Sequence, residues 1–312
     1  MKSKILSAFI LLSCLITAQE FKKNATSGFV FLQLPVNARA AALGEASISL
    51  SDVNSSGVFS NPASVGFTNL THSFSASYSP WIAEIKHYAS SYSFKSDLGV
   101  FSVGFIVLDF GSMPKTKRIT GQRVYEILGT FSANAIAASL NYSKMLTDRF
   151  SFGVGLKYAK ESIDIYSADN ILFDAGVLYY TGLGSLRIGA VMQNFGTDAQ
   201  YINDPFKMPS IFKLGLAAEI FGSTESEYRL TALAEAVHPN NGDERVSGGL
   251  ELAWQNLISL RGGYKFFYDE ETYSFGVGLN PKLSVPAELD FSYSNYGRLG
   301  NVFRFSLQLG LL

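Results

Sequence analysis

The stretch FSFGVGLKYAK, residues 150–160, alternates between two kinds of side chain. The even-numbered positions from 150 to 158 hold large apolar residues, whereas the odd-numbered positions from 151 to 159 hold serine, glycine, lysine and alanine. Because successive side chains of a β-strand point to opposite faces, one face of this strand is bulky and apolar and the other is small or polar. A strand that separates lipid from a polar lumen has this composition.

The same alternation returns near the C-terminus, in residues 273–280, 289–294 and 303–311. The strands of a soluble sandwich average about 5–6 residues. The alternating segments of this chain extend over about 9–12 residues, a length that crosses a bilayer at a tilt. Length and alternation together favour a membrane-spanning barrel over a soluble β-protein.

We count roughly fourteen such segments along the chain. An even number of strands is expected for a bacterial barrel with both termini in the periplasm. The sequence therefore predicts an all-β fold, a transmembrane antiparallel β-barrel of about 14 strands over residues 72–312. The segments begin near Ser73, Lys86, Leu98, Thr130, Arg149, Asn170, Ser185, Ile211, Tyr228, Glu244, Leu257, Thr272, Ala287 and Asn301.

Short and long connections alternate between these segments, as periplasmic turns and extracellular loops do in bacterial barrels. Long outer loops are predicted at residues 108–129, 162–169 and 196–209. The first of them is basic and the last is partly apolar, so both are candidate partner-binding loops. Their candidate residues are Lys115, Lys117, Arg118, Tyr201, Ile202, Phe206 and Met208.

The composition fits a membrane protein and excludes one class of partner. Hydrophobic residues make up 47% of the chain and aromatic residues 14%. Charged residues make up only 16%, against roughly 25% in an ordinary soluble protein. The formal net charge is −1, so the chain has no excess of basic residues for binding nucleic acid. Outer-membrane lipid is the expected environment.

The N-terminus has the three parts of a secretion signal. Lys2 and Lys4 precede an apolar run over residues 5–16, and Ala18 supplies a cleavage point. Residues 1–18 are therefore predicted to be removed, which would leave a mature chain without cysteine. An alternative interpretation treats Leu11-Leu12-Ser13-Cys14 as a lipobox, with Cys14 as a lipidated N-terminus.

Residues 19–71 do not alternate like membrane strands. The small, alanine-rich run from Ala38 to Gly44 predicts a short helix that Gly44 ends, and Asn61 begins a turn before Pro62 and Ala63. Two interpretations stay open. The segment is a periplasmic lead-in stabilised by turns, or a plug folded into a barrel that its own side chains do not fill.

The run FLQLPVNARAAALGEA, residues 31–46, followed by Asn61-Pro62-Ala63, resembles the N-terminal motif of the PorV/PorQ family. These proteins reside in the outer membrane of Bacteroidetes and are related to the FadL long-chain fatty-acid transporters. The similarity covers most of the mature chain. It continues in residues 129–133, 146–154, 166–168, 186–196 and 260–265.

This resemblance implies a 14-stranded FadL-like barrel with an N-terminal inserted segment. It also implies a non-enzymatic role in the type IX secretion system, where cargo carrying a C-terminal sorting domain is secreted and attached to the surface. The implied partners are other type IX components and those cargo domains. The alternative is a FadL-like channel for hydrophobic small molecules.

The sequence predicts no catalytic site, no metal site and no cofactor. Its three histidines, His72, His87 and His238, do not form the H-E-x-x-H pattern of zinc enzymes, and the chain has neither a G-x-S-x-G elbow nor a Walker loop. Acidic pairs such as Asp243-Glu244 resemble calcium ligands only in composition.

Charged residues on the predicted strands should avoid lipid, where Arg or Lys at the midplane costs about 2–4 kcal/mol. We expect them to face the lumen and to pair with one another or with the N-terminal segment. Arg39 is expected to form a salt bridge with a lumen carboxylate. The charged strand residues are Lys157, Asp174, Arg187, Lys213, Glu219, Glu235, Arg261, Asp290 and Arg304.

Overall fold

Fourteen antiparallel strands close into a barrel in this computed structural model, which describes residues 26–120 and 124–311. Each barrel strand pairs with its neighbours along the chain, and the first strand pairs with the last to close the ring. Two further short strands pair with each other in the connection after the seventh barrel strand. The predicted signal peptide and the lipobox alternative at Cys14 lie outside the described residues.

The strands are numbered in chain order, and β8 and β9 are the short pair outside the barrel. Their bounds are β1 (His72–Pro80), β2 (Lys86–Ser96), β3 (Gly99–Arg118), β4 (Tyr125–Thr147), β5 (Phe150–Ile163), β6 (Tyr166–Tyr180), β7 (Arg187–Phe195), β8 (Ala199–Gln200), β9 (Pro205–Phe206), β10 (Ile211–Phe221), β11 (Tyr228–Pro239), β12 (Arg245–Trp254), β13 (Ile258–Phe266), β14 (Tyr273–Leu279), β15 (Ala287–Asn295) and β16 (Asn301–Leu311).

The wall has the two faces that the alternation predicted. In β14, Phe275 and Val277 are exposed on the outer surface, whereas Ser274 and Gly276 are buried against the interior. The closed, antiparallel, 14-stranded barrel confirms the predicted fold class. We call the end at which β1 begins and β16 ends the terminal end, and the opposite end the distal end.

All but two of the predicted strand starts lie within two residues of an observed start. The exceptions are the starts predicted near Thr130 and Asn170, because β4 and β6 begin earlier, at Tyr125 and Tyr166. The predicted loop over residues 108–129 is therefore wrong, since β3 continues to Arg118 and pairs with β4 beyond the rest of the barrel. The predicted loop over residues 162–169 is also wrong, since only residues 164 and 165 lie between β5 and β6.

Residues 26–71 precede the barrel, and we call them the inner segment. Two short α-helices, α1 (Ala38–Ala42) and α2 (Pro62–Val65), lie within it. The side chain of Asn37 caps α1 by accepting from the backbone N–H of Arg39, and Asn61 caps α2 in the same way. Gly44 follows α1 with a φ of 65°, in the left-handed region where glycine carries no Cβ penalty. The helix predicted between Ala38 and Gly44 is therefore present.

The inner segment contacts the inward face of the barrel wall along its length. The backbone N–H of Ala38 donates to the Ser306 hydroxyl at 2.8 Å, and Ser151 donates to the carbonyl of Ala63 at 2.8 Å. Gly263 shows how close this approach is, because a Cβ at that position would lie 2.1 Å from the backbone nitrogen of Gly44. The small inward-facing residues of the wall thus leave room for the backbone of the inner segment.

Among the described residues, no helix combines the length and the apolar character needed to cross a bilayer.

Candidate functional site

The distal half of strands β2–β6 presents an apolar inner surface. Its inward-facing residues are mostly small, and the inner segment and the connection after β7 fill the space in front of them. We call this cluster the apolar half of the lumen. Its buried wall residues are Ala89, Ile106, Leu108, Ala135, Ala137, Ala159, Ala168 and Leu172, and they pack with Phe29, Phe31, Val36, Ala199 and Met208.

Aromatic rings close the apolar half at the distal end. The ring centroid of Phe206 lies 6.0 Å from that of Phe29 and 5.3 Å from that of Tyr201. Ser27 forms a parallel β-bridge with Lys207, which joins the inner segment to the connection between β7 and β10. The connection over residues 196–210 therefore folds over the beginning of the inner segment.

Glu161 of β5 links these two segments. Its carboxylate accepts from the backbone N–H of Phe29 at 3.2 Å and from the Tyr201 hydroxyl at 2.6 Å. Burial raises the pKa of Tyr201 above its ordinary value, and the hydrogen bond and charge of Glu161 raise it further. Tyr201 therefore stays protonated at neutral pH and donates to Glu161.

A cavity of about 60 Å³ lies beside the apolar half, between the inner segment and strands β7 and β10. It exceeds the volume of roughly 10–15 Å³ that one water needs, but is smaller than the roughly 150 Å³ of a cavity that binds benzene. Lys213, Arg39 and Glu45 lie along one part of its lining. The apolar lining consists of Leu32, Leu34, Pro35, Val36, Ala40, Leu50, Val53, Phe59 and Ile211.

Strands β10–β16 present a charged inner surface, which we call the charged half of the lumen. Glu251 is its centre and is only 1% exposed. The guanidinium of Arg39 donates to both oxygens of Glu251 at 2.8 Å, and Arg261 donates to the same carboxylate at 2.6 Å. Arg39 also pairs with Asp52 at 3.0 Å. The predicted salt bridge between Arg39 and a lumen carboxylate is therefore present.

The other charged strand residues also face the interior. Most have a partner of opposite charge, as expected for charges held away from lipid. Arg304 is the exception, since it is fully buried and the described residues place no carboxylate within 4 Å of it. Its guanidinium lies 5.5 Å from the ring of Trp81. The pairs are Lys157–Asp174, Arg187–Glu219, Lys213–Glu235, Arg261–Asp290 and Arg261–Glu288.

A polar vestibule of about 470 Å³ lies at the terminal end of the charged half. Arg39, Asp52 and Glu251 lie in its lining together with Arg229 and Glu288. An apolar solute would have to displace water from these charges, and an unpaired buried charge is costly. The lining of the terminal end is thus polar and charged, in contrast to that of the apolar half.

A bulge interrupts the pairing of β6 with β7. The register shifts between Phe173 and Ala175, and Asn194 takes a φ of 59°. Asp174 accepts from the backbone N–H of Asn194 at 2.7 Å, and Lys157 donates to the side-chain oxygen of Asn194 at 2.7 Å. The bulge therefore has a polar network that holds β7 away from regular pairing.

The predicted plug-motif residues all lie in the inner segment and contact the barrel or stabilise its turns. Gly44 donates its N–H to the Ser274 hydroxyl at 3.2 Å, and the Pro62 carbonyl accepts from Ser143 at 2.6 Å. The Asn61 amide donates to the carbonyls of Ile48 and Val177. Ala38, Arg39 and Ala63 have the partners described above.

The structure corrects the two candidate partner-binding loops. Lys115, Lys117 and Arg118 lie on β3 and not in a loop, and Lys115 forms an ion pair with Asp164. The connection over residues 196–210 folds inward, so Met208 is only 2% exposed and is inaccessible to a partner. Tyr201 and Phe206 are partly buried against Phe29, whereas Ile202 is 59% exposed.

The three histidines lie far apart on the barrel. His72 begins β1, His87 is buried in β2, and His238 near the distal end of β11 lies 3.0 Å from Glu244. Within the described residues, no group of three or more His, Cys, Asp or Glu is arranged to hold a metal ion.

Three residues that join the inner segment to the barrel are not among those predicted from the sequence: Glu161, Glu251 and Lys265. Lys265 forms ion pairs with Glu45 of the inner segment and with Glu271 of the next connection. Glu251 had a detectable signal, because it alternates with Leu250 and Leu252 on its strand. Glu161 had none, since its partners lie 132 and 40 residues away in the chain.

No protein-family model matches the chain, and no curated protein matches it. Solved structures of hydrocarbon channels are similar to it. The Ralstonia pickettii toluene transporter TbuX has a TM-score of 0.59 at 13% identity, covering 92% of this chain and 100% of that one. The Pseudomonas putida toluene transporter TodX has a TM-score of 0.61 at 14% identity, covering 88% and 97%.

The monoaromatic hydrocarbon channel CymD is a third neighbour, with a TM-score of 0.60 at 10% identity over 91% of this chain and 99% of that one. At such low identity these likenesses establish the fold alone. They confirm the barrel fold, which this chain shares with these channels. These neighbours are channels and not enzymes.

Proposed function

We propose that this protein is a channel in the outer membrane of a Gram-negative bacterium and that it admits small hydrophobic molecules. The apolar half of the lumen carries this proposal. An ordinary water-filled pore has a polar interior. Here the distal part of five strands turns alanine, leucine and isoleucine inward against the inner segment, whose own leucine and valine side chains line the neighbouring cavity.

In this proposal the distal end faces the exterior and the terminal end faces the periplasm, in line with the predicted position of the termini. A small apolar molecule would enter beneath the aromatic rings of Phe29 and Phe206 and occupy the cavity beside Leu34. The cavity of about 60 Å³ would be its resting form and would enlarge as the inner segment yields. The inner segment would act as a plug that closes the lumen to polar solutes.

The first ligand class to test is the monoaromatic hydrocarbons, since the similar proteins include a toluene transporter and a monoaromatic hydrocarbon channel. Accumulation of radiolabelled toluene would be measured in Gram-negative cells with and without the protein. We expect faster uptake in cells that contain it. Equal rates in both would overturn the proposal.

Two variants test whether toluene passes through the cavity. Ala40→Leu adds volume to the cavity lining, and we expect it to lower the uptake rate toward that of cells without the protein. Leu34→Ala removes volume and should preserve or raise the rate. Leu183→Ala, in an exposed turn at the terminal end, is the matched control and should have no effect.

A second candidate function is participation in type IX secretion, as the PorV/PorQ resemblance implies. The observation that favours it is a groove of about 490 Å³ on the outer flank of the barrel, where β1, β2 and β16 meet. Its floor includes Ala76 and Ser90, and the rings of Tyr78 and Tyr88 stand beside it. The small floor residues leave a concavity in the outer wall into which the side chains of another membrane protein would pack.

The secretion role is tested by deleting the gene in its native bacterium and following exported proteins that carry the type IX C-terminal domain. Their accumulation in the periplasm, or their release without attachment, would support this candidate. Normal secretion and attachment would remove it and leave hydrocarbon uptake as the function to pursue.

A further inference from the structure

We propose, on the basis of the channel function above, that the molecules admitted through the cavity beside the apolar half carry a hydroxyl group on an apolar body, as phenols and small aromatic alcohols do. Lys213 and Glu45 would hold the hydroxyl group, and the apolar lining would hold the ring. Both residues retain hydrogen-bonding capacity, and both already have a partner of opposite charge.

The lining of this cavity is not uniformly apolar. Half of the lining residues are polar or charged, among them Gln193, Lys213 and Glu45. Sites for small molecules combine apolar walls with a few polar groups, which fix the orientation of the ligand. A buried polar group that loses water without gaining a partner is costly, and a plain hydrocarbon offers it none. The lining therefore matches a molecule that has one polar group better than it matches a hydrocarbon.

Lys213 of β10 supplies a donor to the cavity. An ammonium group has three N–H donors, yet Lys213 forms no hydrogen bond with any described residue. Its Nζ lies 3.4 Å from Oε1 of Glu235, and its side chain is 15% exposed. The other oxygen of Glu235 accepts from the backbone N–H groups of Ser47 and Ile48 at 2.9 and 3.2 Å, which holds this carboxylate in place. The donors of Lys213 are therefore available to a ligand.

Glu45 of the inner segment supplies an acceptor to the same part of the lining. One of its oxygens accepts from Lys265, and the other forms no hydrogen bond with a described residue. Arg39 also lines this part of the cavity, but each of its guanidinium nitrogens already donates to Asp52 or Glu251. A ligand would therefore meet a donor on Lys213 and an acceptor on Glu45.

The existing ion pairs select a neutral polar group in the ligand. Lys213 is paired with Glu235, and Glu45 is paired with Lys265. A carboxylate in the ligand would face the two glutamates, and an ammonium would face the two lysines, and a buried charge without a partner of its own is costly. A hydroxyl group both accepts and donates. It can therefore accept from Lys213 and donate to Glu45 without adding a charge.

The test compares four molecules with the same methyl-substituted ring: 4-methylphenol, toluene, 4-methylbenzoate and 4-methylbenzylamine. Their binding to the full chain in lipid nanodiscs is measured by equilibrium dialysis, with empty nanodiscs as the blank. We expect 4-methylphenol to bind about tenfold more tightly than toluene, because it gains hydrogen bonds to charged groups. Equal binding of 4-methylphenol and toluene, or tighter binding of either charged analogue, would overturn the proposal.

A double variant assigns the preference to Lys213. Lys213→Met combined with Glu235→Gln removes the donor without leaving an unpaired charge, and glutamine keeps a side-chain oxygen for Ser47 and Ile48. We expect the preference for 4-methylphenol over toluene to fall from about tenfold to about one. Lys144→Met, on β4 and outside the cavity lining, is the control and should keep the preference. A preference that persists in the double variant would overturn the proposal.

Toluene uptake by cells that contain the unaltered protein separates this result from the channel function. If the protein speeds toluene uptake but binds 4-methylphenol no more tightly than toluene, the substrate class is overturned and the channel function stands. If the protein neither speeds toluene uptake nor binds either molecule, both the channel function and the substrate class are overturned.

Discussion

The apolar and charged halves of the lumen contact the same inner segment, yet they hold it by different forces. In the apolar half, small wall residues pack against Phe29, Phe31 and Met208. In the charged half, Glu251 fixes Arg39 with two hydrogen bonds. The hydrophobic effect is non-directional, whereas a buried ion pair demands one geometry.

The two sides of the inner segment therefore have different roles. Within the inner segment, α1 is anchored to the charged half through Arg39. The first residues of the inner segment, Phe29 and Phe31 among them, pack against the apolar half. A ligand that enters the apolar half would exchange one apolar contact for another, at little cost. A ligand that enters the charged half would have to break ion pairs. The inner segment can therefore yield on one side and stay fixed on the other.

The largest expected effect comes from breaking the anchor. Glu251→Ala leaves Arg39 and Arg261 without their shared partner, and removing one member of a buried ion pair costs about 3–5 kcal/mol. We expect the free energy of unfolding in urea, followed by tryptophan fluorescence, to fall by that amount. Glu225→Ala, at an exposed turn position, is the control. Equal stability of the two variants would show that the charged half is not an anchor.

The second prediction tests the apolar half. Leu172→Ala creates a cavity among buried wall residues, and we expect a loss of about 2–4 kcal/mol in the free energy of unfolding. Toluene should restore part of this loss by filling the cavity, since a ligand that binds only the folded state stabilises it. Toluene should not restore Glu251→Ala. If toluene stabilises both variants equally, the two halves of the lumen do not differ in their response to an apolar ligand. Ile171→Ala, on the outer face, is the control.

The third prediction concerns the distal closure. Glu161→Gln keeps the size of the side chain but removes the charged acceptor for Phe29 and Tyr201, a change of about 1–2 kcal/mol. We expect faster hydrogen exchange in residues 26–34 and unchanged exchange around α1. Glu126→Gln, on the exposed part of β4 beyond its pairing with β5, should leave the exchange of both regions unchanged. Faster exchange around α1 would mean that the two ends of the inner segment open together.

The smallest effect is expected outside the lumen. Lys117→Ala alters an exposed side chain without an ion pair among the described residues, so the free energy of unfolding should change by less than about 0.5 kcal/mol. Urea unfolding measures this directly. A larger loss would indicate that the part of β3 beyond Asp109 contributes to barrel stability.

Much of the barrel could be predicted from the sequence because the alternation is local. A few residues are enough to tell the inward face of a strand from the outward face, since Ser274 is small and faces inward whereas Phe275 is large and faces outward. The alternation fades where a strand leaves the lipid and both faces meet water. Residues 111–118 contain Gly111 and Pro114 and no regular apolar face, so the end of β3 resembled a loop.

The candidate site was less predictable because its contacts join distant parts of the chain. The sequence indicated that Arg39 would meet a lumen carboxylate, but the choice of Glu251 depends on where α1 sits against β13, β14, β15 and β16. The sequence gives one indication that the connection after β7 folds inward, because Phe206 and Met208 are large apolar residues, which are more often buried than exposed. The hydrogen bonds from Phe29 and Tyr201 to Glu161 can be recognised only from the three-dimensional structure.

The path of the inner segment has a consequence for assembly. Ser27 lies beside Lys207 at the distal end, and His72 begins β1 at the terminal end, so the segment threads the whole length of the ring. The ring is closed by the pairing of β1 with β16, the first strand with the last. Once this seam has formed, the segment has no lateral way in. A wall that closes around the segment, with the β1–β16 seam as the last pairing, avoids threading residues 26–71 end-on through a finished ring.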